Sequence, residues 1–106
     1  MGTIMNTKNQ TQDRQQVLID LYLQYLLNEI TLGQLLAYLR KNILGMSQEQ
    51  YANLVGVSRR TLTDIEQDKG KLTQSVLDKV FKPLGLKAGL VPTHEHIVRK
   101  IIKPSE

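Results

Sequence analysis

The segment from Ser47 to Lys71 constrains the fold of this chain more than any other, because it encodes two short helices around one tight turn. Ser47, followed three residues later by Gln50, forms a capping box, the pattern that begins many helices. Gly56 stands where the first helix must end, and glycine accepts the positive φ that such a turn requires. Ser58 is a second N-cap residue. The segment therefore predicts two helices joined by a tight turn.

The apolar positions of the same segment match a helix-turn-helix motif. Ala52 falls where the two helices approach closely, while Leu62 and Ile65 fall where the second helix packs on the first. Arg59 and Arg60 open the second helix and lie off this apolar stripe. A short helix end that presents hydrogen-bonding side chains is what reading base edges in the major groove requires. The alternative is an ordinary pair of antiparallel helices in a helical domain.

The composition limits the class of protein further. With 106 residues, the chain has room for one domain with short appendages. Its net charge of +4 favours contact with phosphate backbones, although many soluble proteins are equally basic. Aromatic residues make up only 5%, which leaves few side chains for stacking single-stranded bases. The absence of cysteine excludes disulfides and thiolate zinc sites and is typical of a reducing cytoplasm.

Two further classes are not expected. The apolar stretch 17–39 is interrupted by Asp20, Glu29 and several amides, so it does not predict a membrane span. The polar N-terminus does not resemble a secretory signal. The sequence has no Ser/His/Asp set, phosphate loop or clustered carboxylate pair, so we expect neither an enzyme nor a cofactor.

The chain before the motif predicts a tail and a long helix. Residues 1–11 are polar, and we expect them to be disordered. A helix is predicted from about Gln12 to Glu29, and its apolar stripe is wider than one small core needs. Two interpretations stay open: a deeply buried helix, or a helix with one flank on a second subunit or a partner protein.

Two more capping residues predict the remaining helices of the domain. Thr31 with Gln34 is another capping box. Arg40 and Lys41 lie in the last turn of that helix, where we expect them to complement the helix dipole or, as an alternative, to touch phosphate. Thr73 is the N-cap of a further helix.

The segment 86–92 predicts a strand, because Leu86 to Val91 is short and apolar and Pro92 closes it. A lone strand in a helical domain has no partner within the chain. Pairing between two copies across a two-fold axis would satisfy its backbone groups. Leu86, Leu90 and Val91 are therefore the predicted dimerisation residues.

The C-terminal tail, residues 93–106, carries two features. His94 and His96 could hold a metal ion from a strand, but no third ligand is evident and we predict no metal site. The segment 97–103 alternates isoleucine or valine with basic residues. It predicts either a short docking helix or strand, or a terminal helix packed on its own domain.

The motif residues resemble those of a known family. Ser-Gln-Glu-Gln-Tyr-Ala from Ser47, Gly-Val-Ser-Arg-Arg-Thr-Leu from Gly56 and Asp-Ile-Glu from Asp64 resemble the Cro/phage-repressor, or XRE, type of helix-turn-helix regulator. The resemblance covers about residues 31–85. Two features depart from the family pattern: Tyr51 stands where leucine is usual, and the loop after the second helix lacks the usual glycine-then-proline spacing.

The resemblance implies an all-α, five-helix, lambda-repressor-like domain over residues 12–85, followed by the dimerisation strand. A strand after the last helix is also similar to HipB-like antitoxins, in which it builds an intersubunit sheet. That likeness implies a toxin of the HipA-like kinase type as a partner. Together these features predict a homodimeric regulator of transcription, acting as a repressor on a near-palindromic duplex operator. The alternative is an adaptor that acts mainly by binding a partner protein.

The predicted interface divides into two groups of residues. Arg59 and Arg60 suit bidentate contacts to guanine, and Thr63 and Asp64 face the same groove one turn on. A second group suits phosphate, because it lies at helix N-termini or in the basic loop. The phosphate-contacting group comprises Gln48, Ser58, Thr61, Lys69 and Lys71.

Overall fold

The structure, a computed structural model, describes residues 7–103. Its helices are α1 (Thr7–Leu26), α2 (Leu32–Leu39), α3 (Gln48–Val55), α4 (Arg59–Glu66), α5 (Gln74–Phe81) and α6 (Glu95–Ile102). A π-helical turn, Arg40–Leu44, continues α2, and a 3-10 turn, Lys82–Leu84, continues α5. No strand occurs within residues 7–103. The predicted all-α class is confirmed.

The predicted N-caps begin their helices as expected. The Thr31 hydroxyl accepts a hydrogen bond from the Gln34 backbone N–H at 3.1 Å, and the Gln34 side chain accepts one from the Thr31 backbone N–H at 2.9 Å. The same reciprocal pair joins Ser47 and Gln50 at 3.1 and 2.9 Å. Thr73 caps α5 through one bond only, in which its side chain accepts from the Val76 backbone N–H. These bonds satisfy backbone donors that have no partner within a helix.

One apolar core holds α2 to α5 together. Its buried residues are Leu35, Leu36, Leu39, Tyr51, Ala52, Val55, Leu62, Ile65, Val80, Phe81 and Leu84. The α1 helix packs on this core from outside through Leu18, Leu21 and Tyr25. Its other side stays open, since Ile19 is 55% exposed. The α1 helix is thus neither deeply buried nor fully solvated.

Tyr51, which departs from the family pattern, adds a polar link to the core. Its ring is fully buried, and its phenol donates a hydrogen bond to the Val80 carbonyl in the last turn of α5. Burial, reinforced by the nearby Glu66 carboxylate, raises the pKa of Tyr51 to about 12. The hydrogen bond from this buried phenol ties α3 to α5.

The long first helix differs from its prediction at both ends. It begins at Thr7, so residues 7–11 of the predicted disordered tail are helical, while residues 1–6 lie outside the described residues. It ends at Leu26 and not at Glu29, because Asn28 adopts a left-handed conformation with φ of 62°. The backbone N–H of Glu29 then bonds back to the Gln24 carbonyl at 2.8 Å, which closes the helix end.

The segment predicted as a strand is irregular within this single chain. Leu86 packs against the core, and the Ala88 backbone N–H donates to the Asp78 carboxylate at 2.7 Å. Leu90, in contrast, is fully exposed, with a relative exposure of 104%. A strand needs a neighbouring strand, and residues 7–103 provide none. Pairing with a second copy over residues 86–92 therefore stays a prediction.

The C-terminal tail contains the helix α6, so the alternative of a strand there is wrong. Val98 buries its side chain and anchors the helix. Leu23 of α1 and Leu27, which directly follows α1, line one groove together with Ile102 of α6. Ile101 remains 66% exposed. The helix is therefore packed on its own domain through one side only. Residues 104–106 of the tail lie outside the described residues.

Candidate nucleic-acid interface

The turn between α3 and α4 sets the relative orientation of these two helices. Gly56 has φ of 77°, and its backbone N–H bonds to the Ala52 carbonyl at 2.9 Å. The Ser58 hydroxyl then caps α4 by accepting from the Thr61 backbone N–H at 3.0 Å. Leu62 is fully buried, so the opposite side of α4 faces outward. The predicted helix-turn-helix geometry is confirmed.

The outward face of α4 carries the four residues that we predicted to contact bases. Arg59 and Arg60 are exposed in the first turn. Thr63 and Asp64 follow one turn later and are half-buried. The structure thus brings these side chains together on one helix. Their contact with DNA stays a prediction.

Gln48, predicted to touch phosphate, is also tied to α4. Its amide nitrogen donates to a Glu66 carboxylate oxygen at 2.9 Å. Its amide oxygen accepts a hydrogen bond of 3.3 Å from the Thr63 hydroxyl. These bonds place the start of α3 beside the second half of α4. Gln48 therefore lies next to the predicted base-contacting group.

The other predicted phosphate contacts lie at the two ends of α4. At its start, Ser58 donates its hydroxyl proton to the Thr61 hydroxyl oxygen at 2.9 Å. Past its end, Lys69 and Lys71 are exposed in the loop that follows. Ser58, Lys69 and Lys71 are exposed and Thr61 is half-buried, and the contact of all four with phosphate stays a prediction.

Arg40 is a residue whose role the sequence analysis missed. Its guanidinium is buried and binds both carboxylate oxygens of Glu66, at 2.7 and 2.9 Å, and it also donates to the Met46 carbonyl at 2.7 Å. The predicted phosphate contact is wrong for Arg40, because its guanidinium is buried and bound to Glu66. A complement to the helix dipole stays a prediction. The pair joins the end of α2 to the end of α4.

A pattern in the sequence could have indicated this ion pair. Arg40 follows Leu36 by four residues, and Glu66 follows Leu62 by four residues. Each charged residue therefore continues the buried face of its helix. Opposite charges at the ends of two buried faces indicate a buried pair, since an unpaired charge there would be costly.

The described residues hold no group of three metal-ligating side chains. The rings of His94 and His96 lie with their centroids 5.6 Å apart at the start of α6. None of the described helices is long and apolar enough to cross a bilayer.

Two short helices joined by a glycine turn, with exposed arginines at the start of the second, have the arrangement of a helix-turn-helix DNA-binding motif. A family model described as helix-turn-helix matches residues 36–90, more than half of the chain. The chain therefore belongs to the helix-turn-helix family of the XRE type, a family of DNA-binding transcription regulators. No curated protein and no solved structure matches it significantly.

Proposed function

We propose that this chain is a sequence-specific repressor that binds a near-palindromic DNA operator as a homodimer. The observation that carries the proposal is the exposed face of α4, where Arg59 and Arg60 lie beside the half-buried Thr63 and Asp64. Arginine can bind the O6 and N7 atoms of guanine together, which is the commonest specific base contact. A module bound across its operator excludes other proteins from the same duplex, which favours repression by occupancy.

The arginines and the lysines are expected to make different contributions to binding. Replacing Arg59 or Arg60 by Ala should relax the preference at particular base pairs, at about 1–3 kcal/mol each. Replacing Lys69 or Lys71 by Ala should weaken binding to all sequences alike, because phosphates carry no sequence information. The measurement is selection of bound duplexes from random DNA, followed by a preference profile for each variant. An unchanged profile in both arginine variants would show that bases are read elsewhere.

The homodimer is supported by the apolar surface around residues 86–91. Leu90 and Val91 are exposed, and Tyr22 of α1 borders the same region. Beside them lies a cleft of about 160 Å³, also lined by Leu77 and Phe81. Two copies that pair these segments would cover this surface and satisfy the backbone groups. The two α4 helices would then lie about 34 Å apart, one turn of the duplex.

A Leu90→Pro change tests this interface. It removes one backbone donor, and because Leu90 is exposed in the monomer, the fold of the single chain should survive. We expect a higher dimer dissociation constant, measured by sedimentation, together with weaker operator binding. Leu90→Val keeps the donor and should dimerise like the wild type. An unaltered dimer in the proline variant would move the interface to α1.

A second candidate function is supported by the apolar residues that α1 and α6 leave exposed. Ile19, Ile97 and Ile101 are all more than one third exposed. A partner protein that covers them would make the chain an adaptor, or an antitoxin that neutralises a HipA-like toxin and represses its own operon. An Arg59→Ala, Arg60→Ala double variant separates the two. An adaptor would keep its biological effect while losing DNA affinity, whereas a repressor would lose both.

A further inference from the structure

We propose that Asp68 is a positioning residue for DNA binding, whose carboxylate holds the end of α4 and the lysine-bearing loop 67–72 against the start of α2. The inference rests on the proposed function and adds a residue that touches no DNA itself. It concerns the point where the loop departs from the family pattern. Three independent features of the structure support it.

The first feature is the backbone conformation of Asp68, just beyond the end of α4. Its φ is 57°, a left-handed conformation that is unfavourable for most residues other than glycine. The Asp68 N–H bonds to the Ile65 carbonyl at 3.0 Å, and the Lys69 N–H bonds to the Asp64 carbonyl at 2.8 Å. These two bonds form a Schellman motif with Asp68 at the position where glycine is usual. The side chain at this position therefore needs its own explanation.

The second feature is what the carboxylate of Asp68 binds. One oxygen accepts from the Thr31 hydroxyl at 2.6 Å, and the other accepts from the Gly33 backbone N–H at 2.9 Å. The Thr31 oxygen also accepts from the Gln34 N–H at 3.1 Å, so its proton is free to point at Asp68. The Gly33 N–H lies in the first turn of α2 and has no helical partner. A negative charge is also favourable at this helix end.

The third feature is the close approach of α2 and α4 at the same point. A Cβ atom on Gly33 would lie only 2.5 Å from the Ile65 carbonyl oxygen and 2.6 Å from that of Glu66. The two backbones therefore touch, and glycine is required for the contact. Asp68 lies two residues after Glu66, and its carboxylate binds Thr31 and Gly33 at this same contact between α2 and α4.

The consequence concerns the two lysines that follow. Lys69 is adjacent to Asp68, and Lys71 comes two residues later in the same loop. Once Asp68 is bound to α2, the start of this loop is held in place relative to the α4 residues that face DNA. Binding then costs less conformational entropy, because the ammonium groups are already near their positions.

Two variants with the same charge change test this role. Asp68→Gly accepts the positive φ but removes the link to Thr31 and Gly33. Asp68→Asn also tolerates that φ and keeps an oxygen that can accept from the Gly33 N–H. Because both variants remove one negative charge beside the lysines, electrostatics alone should raise their DNA affinity equally. A difference between them therefore reports positioning.

We expect the Gly33 amide to exchange its hydrogen faster in Asp68→Gly than in the wild type, with Asp68→Asn close to the wild type. The selected operator should bind Asp68→Gly about fivefold more weakly than Asp68→Asn, which corresponds to one neutral hydrogen bond of about 1 kcal/mol. Lys69→Ala should cost less affinity in the Asp68→Gly background than in the wild type. If Asp68 positions Lys69, the contribution of Lys69 is already reduced once Asp68 is removed.

Equal operator affinity of the glycine and asparagine variants would overturn the positioning role, even if Gly33 exchange differed. Unaltered Gly33 exchange in Asp68→Gly would overturn the link itself. The proposed function would fail on a different result, namely that the wild-type protein selects no duplex from random DNA. These outcomes distinguish an error about Asp68 from an error about DNA binding.

Discussion

Replacing Glu66 by Gln lowers the free energy of unfolding by about 3–5 kcal/mol, because it leaves the Arg40 guanidinium buried without its counter-charge. Both side chains are almost completely buried, with exposures of 5% and 6%. The change keeps the size of the residue, so poorer packing does not account for the effect. Denaturant unfolding of the variant and the wild type at neutral pH measures the difference.

The matched control is Glu95→Gln in α6, where Glu95 pairs with Arg99 at the surface. Those side chains are 46% and 58% exposed, so the pair is screened by water and its removal should cost about 1 kcal/mol or less. A double variant, Arg40→Met with Glu66→Leu, should recover much of the stability by removing both charges. If Glu66→Gln costs no more than the control, the buried pair does not stabilise the junction of α2 and α4.

Operator binding falls by a factor on the order of 10³–10⁵ between about 50 and 200 mM salt, if the dimer touches roughly 6–10 phosphates. The physical reason is release of the counterions condensed on DNA when lysine and arginine side chains replace them. Arg59, Arg60, Lys69 and Lys71 are all exposed around α4 and available for such contacts. Titration of the selected operator at several salt concentrations gives the slope.

Two variants of equal net charge sharpen the salt experiment. Lys69→Ala should reduce the slope of the logarithmic plot by about 0.9 for each phosphate that Lys69 neutralises in the wild-type complex. Lys100→Ala removes the same charge from α6, beside α1, and should leave the slope nearly unchanged. Tight binding that ignores salt would contradict phosphate contact by this surface.

The sequence predicts the helical parts of this fold well, because their boundaries depend on local chemistry. Ser47, Ser58 and Thr73 each bind backbone groups of their own helix, so neighbouring residues are enough to identify the caps. Gly56 likewise needs only its own freedom to take positive φ. The four α4 residues of the candidate site followed from this local prediction.

The features that the sequence analysis missed depend on residues far apart in the chain. Arg40 binds Glu66 across 26 positions, and Asp68 binds Gly33 across 35. Tyr51 finds its acceptor at Val80, 29 positions away. Local periodicity can place such a residue on a buried face, but the packing of the helices decides which partner it meets. The predicted phosphate contact of Arg40 failed for this reason, since only the packing of α2 against α4 brings Glu66 to it.

The buried junction around Arg40 and Glu66 has a consequence for the evolution and redesign of this protein. The junction holds the end of α4 against α2, while Arg59 and Arg60 are exposed and lie outside the core. Surface substitutions away from special features usually change stability by only about 0.5 kcal/mol. If Arg59 and Arg60 read the bases as we propose, the chain can exchange them for other side chains, and so acquire a new target sequence, while the core that supports α4 stays intact.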